Sequence, residues 1–253
     1  MNNGTSEYVP ESAMVVVAHP DDAEFMAAGT VAKWARAGSV ITYVIVTKGD
    51  KGSDDAKMTP SQIAAIREDE QRAAGKVLGV ANFEFMGYPD GYLEHTLALR
   101  RDLARVIRKH KPEVVICFDP TNRFLADNYV NHPDHRASGD ATIDAVFPSA
   151  RDRFTFPELL ADGLEPHKVA ELWLGAAEKP NTTIDIGETL AQKCDALRAH
   201  PSQFGEDSIG FVEQLARWSA GDQKFEFGES FRRFVLETDP ASRIAAFEGD
   251  APG

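Results

Sequence analysis

The stretch MVVVA (14–18), then HPDDAEFMAAGTVAKWARAG (19–38), then VITYVIV (40–46) decides the fold. The outer two runs are short, wholly apolar and rich in Val and Ile, which predicts buried strands of a parallel sheet. Between them, residues 24–37 carry helical spacing and an Ala-rich composition, and Gly38 suits the helix stop. A strand, a helix and a second strand within this span make one βαβ unit. Working outward, SQIAAIREDEQRAAGKVLGV (61–80) predicts a helix with Ser61 as its cap, and FEFMG (83–87) a strand that ends in the turn YPDG. LEHTLALRRDLARVIRKH (93–110) predicts an amphipathic helix, and EVVICF (113–118) a fourth strand. The alternation implies an α/β chain: a mostly parallel β-sheet flanked by helices on both faces. Ligands of such sheets lie beyond the carboxyl ends of the strands, so chemistry is expected in the loops opening at residues 19, 47, 87 and 119.

The later chain is less regular. Residues 119–131 read as a polar connection, 133–147 as a helix and 148–168 as a loop. Strands are expected over 169–176 and 181–186, and a helix over 187–200. Residues 204–221 read as a loop with a short helix, and 223–236 fit neither period. The 253 residues suit one domain, with 1–12 and 240–253 as flexible termini.

Composition narrows the function classes. Apolar residues at 43% and charged residues at 26% exclude a disordered or fibrous chain. A net charge of -13 argues against nucleic acid or anionic lipid as partner, since both require a basic field. No apolar run is long enough to insert in a membrane. The first residues, MNNGTSEYVPESA, lack the charged and apolar regions of a signal peptide, so a cytoplasmic location is expected. Cys117 and Cys194 form no CxxC or Cys–His pattern and read as buried thiols.

Two segments carry chemistry. His19-Pro20-Asp21-Asp22 follows the first strand, and His132-Pro133-Asp134-His135 opens a later helix. Proline at the first helical position with an acidic first turn is a good helix start. That reading puts His19 at the N-cap and Asp22 at N3, with His132 and His135 in the corresponding places of the second helix. His19, Asp22 and His135 then offer three ligands to a metal and leave a fourth position for water, the composition of a catalytic zinc site. Asp21 is left for proton transfer, and His132, when protonated, for stabilising an oxyanion.

At this point the sequence resembles the PIG-L and LmbE-like deacetylases. AHPDDAEF (18–25) is similar to their first signature and HPDHRASG (132–139) to their second. VTKGDKG (46–52), the helix from Arg67 through Val80, MGYPDG (86–91) and KCDALRAHPSQF (193–204) follow in family order. The resemblance implies a Rossmann-like fold and a zinc-dependent hydrolase that removes an N-acetyl group from an N-acetylglucosaminyl or related amino-sugar conjugate. It implies one zinc per chain, other divalent ions being usable, on His19, Asp22 and His135. It further implies Asp21 as general base, His132 on the oxyanion, Asp134 orienting His132, and Arg67 and Asp90 beside the substrate. The signature commonly has Glu directly after the second Asp. Here Ala23 intervenes, which displaces Glu24.

An amidase that cuts a larger acyl group from an amino-sugar or thiol conjugate would use the same residues. A nucleotide-binding protein would need a Gly-rich phosphate loop, and none follows the first strand. A non-catalytic metal binder would have no use for Asp21 and His132. The chain leaves a homo-oligomer open. His95, His110 and His167 read as surface or structural residues, and Trp34 and Trp173 as core. Trp218, Phe225 and Phe227 suit packing or a surface. His200 suits either the pocket or the core, and Arg123 and Asn128 are candidate pocket groups.

Overall fold

The computed structural model describes residues 8–125 and 129–237. The first half alternates as the sequence predicts: β1 (Ser12–Val17), α1 (Asp22–Arg36), β2 (Val40–Thr47), α2 (Pro60–Leu78), β3 (Asn82–Tyr88), α3 (Leu97–His110) and β4 (Val114–Phe118). A small antiparallel pair, β5 (Phe124–Leu125) and β6 (Tyr129–Val130), leads into α4 (Pro133–Asp144). Then come α5 (Glu158–Ala161), β7 (Glu171–Gly175), β8 (Thr182–Asp185), α6 (Leu190–Arg198), α7 (Glu206–Ala220) and β9 (Gly228–Val235).

Seven strands form one sheet in the order β3-β2-β1-β4-β7-β9-β8. The first five are parallel, while β9 runs antiparallel to both β7 and β8. Side chains of β1 alternate between two cores. Val15 and Val17 meet α1, α2 and α6 through Ala27, Val31, Leu78 and Ala196, while Met14 and Val16 meet α3 and α4 through Leu103, Ile107 and Ala141. Burial on both faces explains the continuous apolar runs. It also fixes the carboxyl ends of β1, β2, β3 and β4 at one edge, where the loops gather.

Two local expectations are corrected, and two segments gain definition. Thr59, not Ser61, caps α2, through a reciprocal box with Gln62 that places Pro60 at the first helical position. Residues 204–221 hold the full helix α7: Gly205 and Gly210 suggest a loop, yet Ile209, Val212, Ala216 and Ala220 share one buried stripe. Residues 223–236 resolve into β9, whose Arg233 reaches Glu171 of β7 at 2.8 Å. The described part of the N-terminal segment, residues 8–12, is anchored: Tyr8 donates to Glu113 at 2.5 Å and accepts from the Trp34 indole at 3.0 Å. Among the described residues no helix is long and apolar enough to cross a membrane.

Candidate metal and catalytic site

The chain leaves β1 at the loop edge of the sheet and turns at once. The His19 backbone N–H donates to Asp22 Oδ2 at 2.8 Å. The helix begins at Asp22, later than the proline predicts, with Asp21 in front of it at φ 94° and ψ -27°. A non-glycine residue in that region costs on the order of 1–3 kcal/mol and persists only where its surroundings hold it. Two residues of α2 do so. Gln71 Oε1 accepts the Asp21 N–H at 2.8 Å. Arg67 Nη2 donates to the Pro20 carbonyl and to Asp21 Oδ2, each at 2.8 Å, and Nη1 donates to the Gly49 carbonyl at 3.0 Å. Gly49 is required there: its φ is +60°, and a Cβ would lie 2.6 Å from Arg67 Nη1.

The second segment follows the predicted construction. His132 is the N-cap of α4, Pro133 the first helical residue, and His132 Nδ1 accepts the Asp134 N–H at 3.2 Å. This bond spends the Nδ1 lone pair, so a neutral ring carries its proton on Nε2. Burial, and then the charge of His19, lower the His132 pKa and favour the neutral ring. One turn on, His135 stacks on Phe118 with ring centroids 4.2 Å apart and planes at 9°. Its Nδ1 lies 3.1 Å from Asn131 Oδ1, which leaves the Nε2 lone pair for a ligand. Asn131 is fixed in turn by donating to the Asn122 carbonyl at 2.8 Å. Gly139 permits the approach of α4 to β4, because a Cβ there would stand 2.6 Å from the Phe118 oxygen.

The two segments meet. His19 Nδ1 lies 3.3 Å from Asp22 Oδ2, and His135 Nε2 lies 3.1 Å from Asp22 Oδ1. The His19 ring stands 4.7 Å from His132 and 5.2 Å from His135, between centroids. Among the described residues, potential ligand atoms converge in two groups that share His19, one with His132 and His135, the other with Asp90 and Asp134, and Asp22 is in neither. His19 Nε2 lies 3.1 Å from Asp90 Oδ1 and 3.4 Å from Asp134 Oδ2, yet it is buried without a satisfied hydrogen bond. Such a nitrogen, in a set of imidazoles and carboxylates, fits a borderline divalent cation.

The electrostatics agree with that fit. Burial works to raise the Asp22 carboxyl, but His135 and His19 beside it hold it well below the usual range. Burial lowers His19, and the charge of Asp22 with the nearby Asp134 and Asp90 more than reverses this. Asp21 is pushed up, first by burial and then by the charge of Asp22, against the pull of Arg67. A carboxylate so raised holds a transferred proton more readily than an ordinary one.

The expected metal, catalytic and substrate residues lie at this edge, though some make other contacts than expected. The Asp134 carboxylate accepts from the Gly91 and Leu93 N–H groups, at 2.6 and 3.3 Å, and faces His19 rather than His132. Asp90 is buried against His19 and accepts the Lys51 N–H at 3.2 Å. Arg67 is likewise buried, with its guanidinium on Asp21. His200 is fully buried, 3.4 Å from Glu24. The Arg123 carbonyl accepts the Asn131 N–H while the residue itself is exposed, and Asn128 lies outside the described residues. His110 bonds Glu84, His95 pairs with Asp144, and His167 bonds the Pro112 carbonyl. Trp34 and Trp173 are core, and Trp218 is exposed. Sequence reasoning missed Gln71 and Asn131. The usable signals were the one-turn spacing of Gln71 after Arg67, and the place of Asn131 four residues before His135.

Residues 14–146 match the family described as GlcNAc-PI de-N-acetylase, PIG-L. A diacetylchitobiose deacetylase of Thermococcus kodakarensis is 32% identical over 197 residues, covering 78% of this chain and 72% of its own. A probable N-acetyl-alpha-D-glucosaminyl L-malate deacetylase 2 of Bacillus anthracis is 31% identical, covering 76% of this chain and 80% of its own. Among solved structures, the N,N'-diacetylchitobiose deacetylase of Pyrococcus horikoshii superposes with a TM-score of 0.83 at 28% identity, over 93% of this chain and 89% of that one.

Proposed function

Because the chain belongs to the PIG-L family and is a hydrolytic N-deacetylase of the amino-sugar type, we propose that it removes acetate from an N-acetylglucosaminyl conjugate with Asp21 as general base. The observation that carries this reading is the contact of the Asp22 carboxylate with both His19 and His135, beside a buried Asp21 whose geometry is held from α2. We take the metal to be zinc, held by those three residues. When bound, it supplies a Lewis acid for the acetamide carbonyl and lowers the pKa of the attacking water.

The chain's own groups do the rest. Arg67 occupies Asp21 Oδ2 and leaves Oδ1 to receive the proton of the water as its oxygen bonds to the acetamide carbon. His132, neutral and protonated at Nε2, donates to the oxygen that gains charge. Asp21 then returns the proton to the departing nitrogen, the C–N bond breaks, and acetate and a free amine leave. Asp90 and Asp134 stand within 3.4 Å of His19 Nε2 and add negative charge beside the cation. A cytoplasmic location suits this reading.

The test is acetate release by the zinc-loaded protein on a panel of N-acetylglucosaminyl compounds, beside Asp21→Asn. Release from at least one compound that falls by about 100- to 10,000-fold in Asp21→Asn, with metal content kept, is the expected result. Near-normal turnover by the variant would remove Asp21 from the reaction. No release from any compound would point to a larger acyl group.

A further inference from the structure

Asp21 occupies a backbone conformation that its own side chain does not favour, so something must hold it. Its N–H is held by Gln71 Oε1 at 2.8 Å. An amide side chain can present either its oxygen or its nitrogen, and only the oxygen accepts from an N–H. On the far side of Gln71, Nε2 lies 3.0 Å from Glu24 Oε1 and 3.1 Å from Glu24 Oε2. A carboxylate offers acceptors only, so Glu24 compels Gln71 to turn its nitrogen inward and its oxygen toward Asp21. Glu24 and Gln71 are both fully buried, as is His200 behind them, 3.4 Å from Glu24 Oε2. The chain is closed to solvent along this length and has no partner for a flipped amide.

From this geometry we infer that Glu24 and Gln71 form a positioning relay that holds Asp21 in its left-handed conformation. The relay rests on the reading of Asp21 as the general base. Neither residue touches substrate. Glu24 acts through Gln71, and Gln71 through the Asp21 backbone, which aims the carboxylate that Arg67 clamps from the other side. Glu24 lies in the first turn of α1, where it is fully buried and meets Gln71 of α2.

The decisive variant is Glu24→Gln, which keeps the shape but adds a donor and so permits Gln71 to flip. Gln71→Met and the double variant complete the set. Each is compared with the parent protein, zinc-loaded, on the compound that Asp21→Asn fails to turn over. We expect kcat to fall by about 10- to 100-fold with KM and metal content kept, the size of effect that follows from a misplaced reacting group. The double variant should be no slower than Gln71→Met alone, because the two residues act in series. Hydrogen exchange of the Asp21 amide should be faster in Glu24→Gln. Unchanged kcat, losses that multiply in the double variant, or an Asp21 amide as protected as in the parent would each overturn the relay. If Asp21→Asn itself retains turnover, the reading of the reaction fails, and the amide exchange still decides whether the pair holds Asp21.

Discussion

The chain contains two His-Pro-Asp helix starts, at residues 19 and 132, and they fold differently. At the second, the proline is the first helical residue and the histidine caps the helix through its ring nitrogen. At the first, the helix is delayed to Asp22 and Asp21 is drawn to φ 94°. The two starts share His-Pro-Asp and differ at the fourth residue, Asp22 against His135, and they also differ in what packs against each. Arg67 binds the Pro20 carbonyl and Gln71 the Asp21 N–H, and together they pull the first segment out of helical geometry. The second start is also tied across the fold, but through the Asp134 side chain, which accepts from Gly91 and Leu93 and leaves the backbone cap in place. Capping preference is worth about 1 kcal/mol, less than a buried charged contact, so the tertiary tie wins where it grips the backbone.

The strongest way to break the pairing is at the fourth residue of the second start. His135→Ala should lose tight metal binding, read by metal content after dialysis, and slow acetate release by at least about 1000-fold, roughly 4 kcal/mol of barrier. Full occupancy in that variant would take His135 out of the ligand set. At the cap itself, His132→Ala should keep the metal while kcat falls by about 100- to 1000-fold, since a donor to the developing charge is lost. A loss confined to KM would assign His132 to binding instead.

The tie that distinguishes the first start is tested by Arg67→Met. Removing the guanidinium leaves the Asp21 carboxylate buried beside Asp22 with its counter-charge gone, so unfolding free energy should drop by about 3 kcal/mol in a denaturant titration. An unchanged midpoint would mean that the first turn holds without Arg67. The smallest effect is expected at Thr59, whose capping box serves only α2. Thr59→Ala should cost about 1 kcal/mol of stability and leave kcat unaltered. A drop in kcat there would show that the placement of α2 is sensitive at its far end as well.

Much of the site was legible because metal ligands need particular residue types, and two His-Pro-Asp segments on one predicted edge of a parallel sheet are hard to reconcile with surface loops. Arg67 and Asp90 were legible only through family resemblance, since neither lies beside a ligand in sequence. Gln71 and Asn131 were not legible at all. Each is a neutral amide whose meaning depends on which atom it meets, and those atoms lie 50 residues away for Gln71 and on the facing ring for Asn131. Helix α7 extends further than the sequence suggests because Ile209, Val212, Ala216 and Ala220 are buried along one stripe.

The sequence by itself determined the βαβ alternation, the edge of the sheet where chemistry gathers, and the residue types available there. Those follow from hydrophobic period and from spacing along the chain, which are local properties. Tertiary structure alone decided where the first helix starts, what each histidine ring nitrogen faces, and which carboxylate faces which ring. Backbone strain and hydrogen-bond direction are settled by the atoms packed against a residue, and for Asp21 those belong to α2.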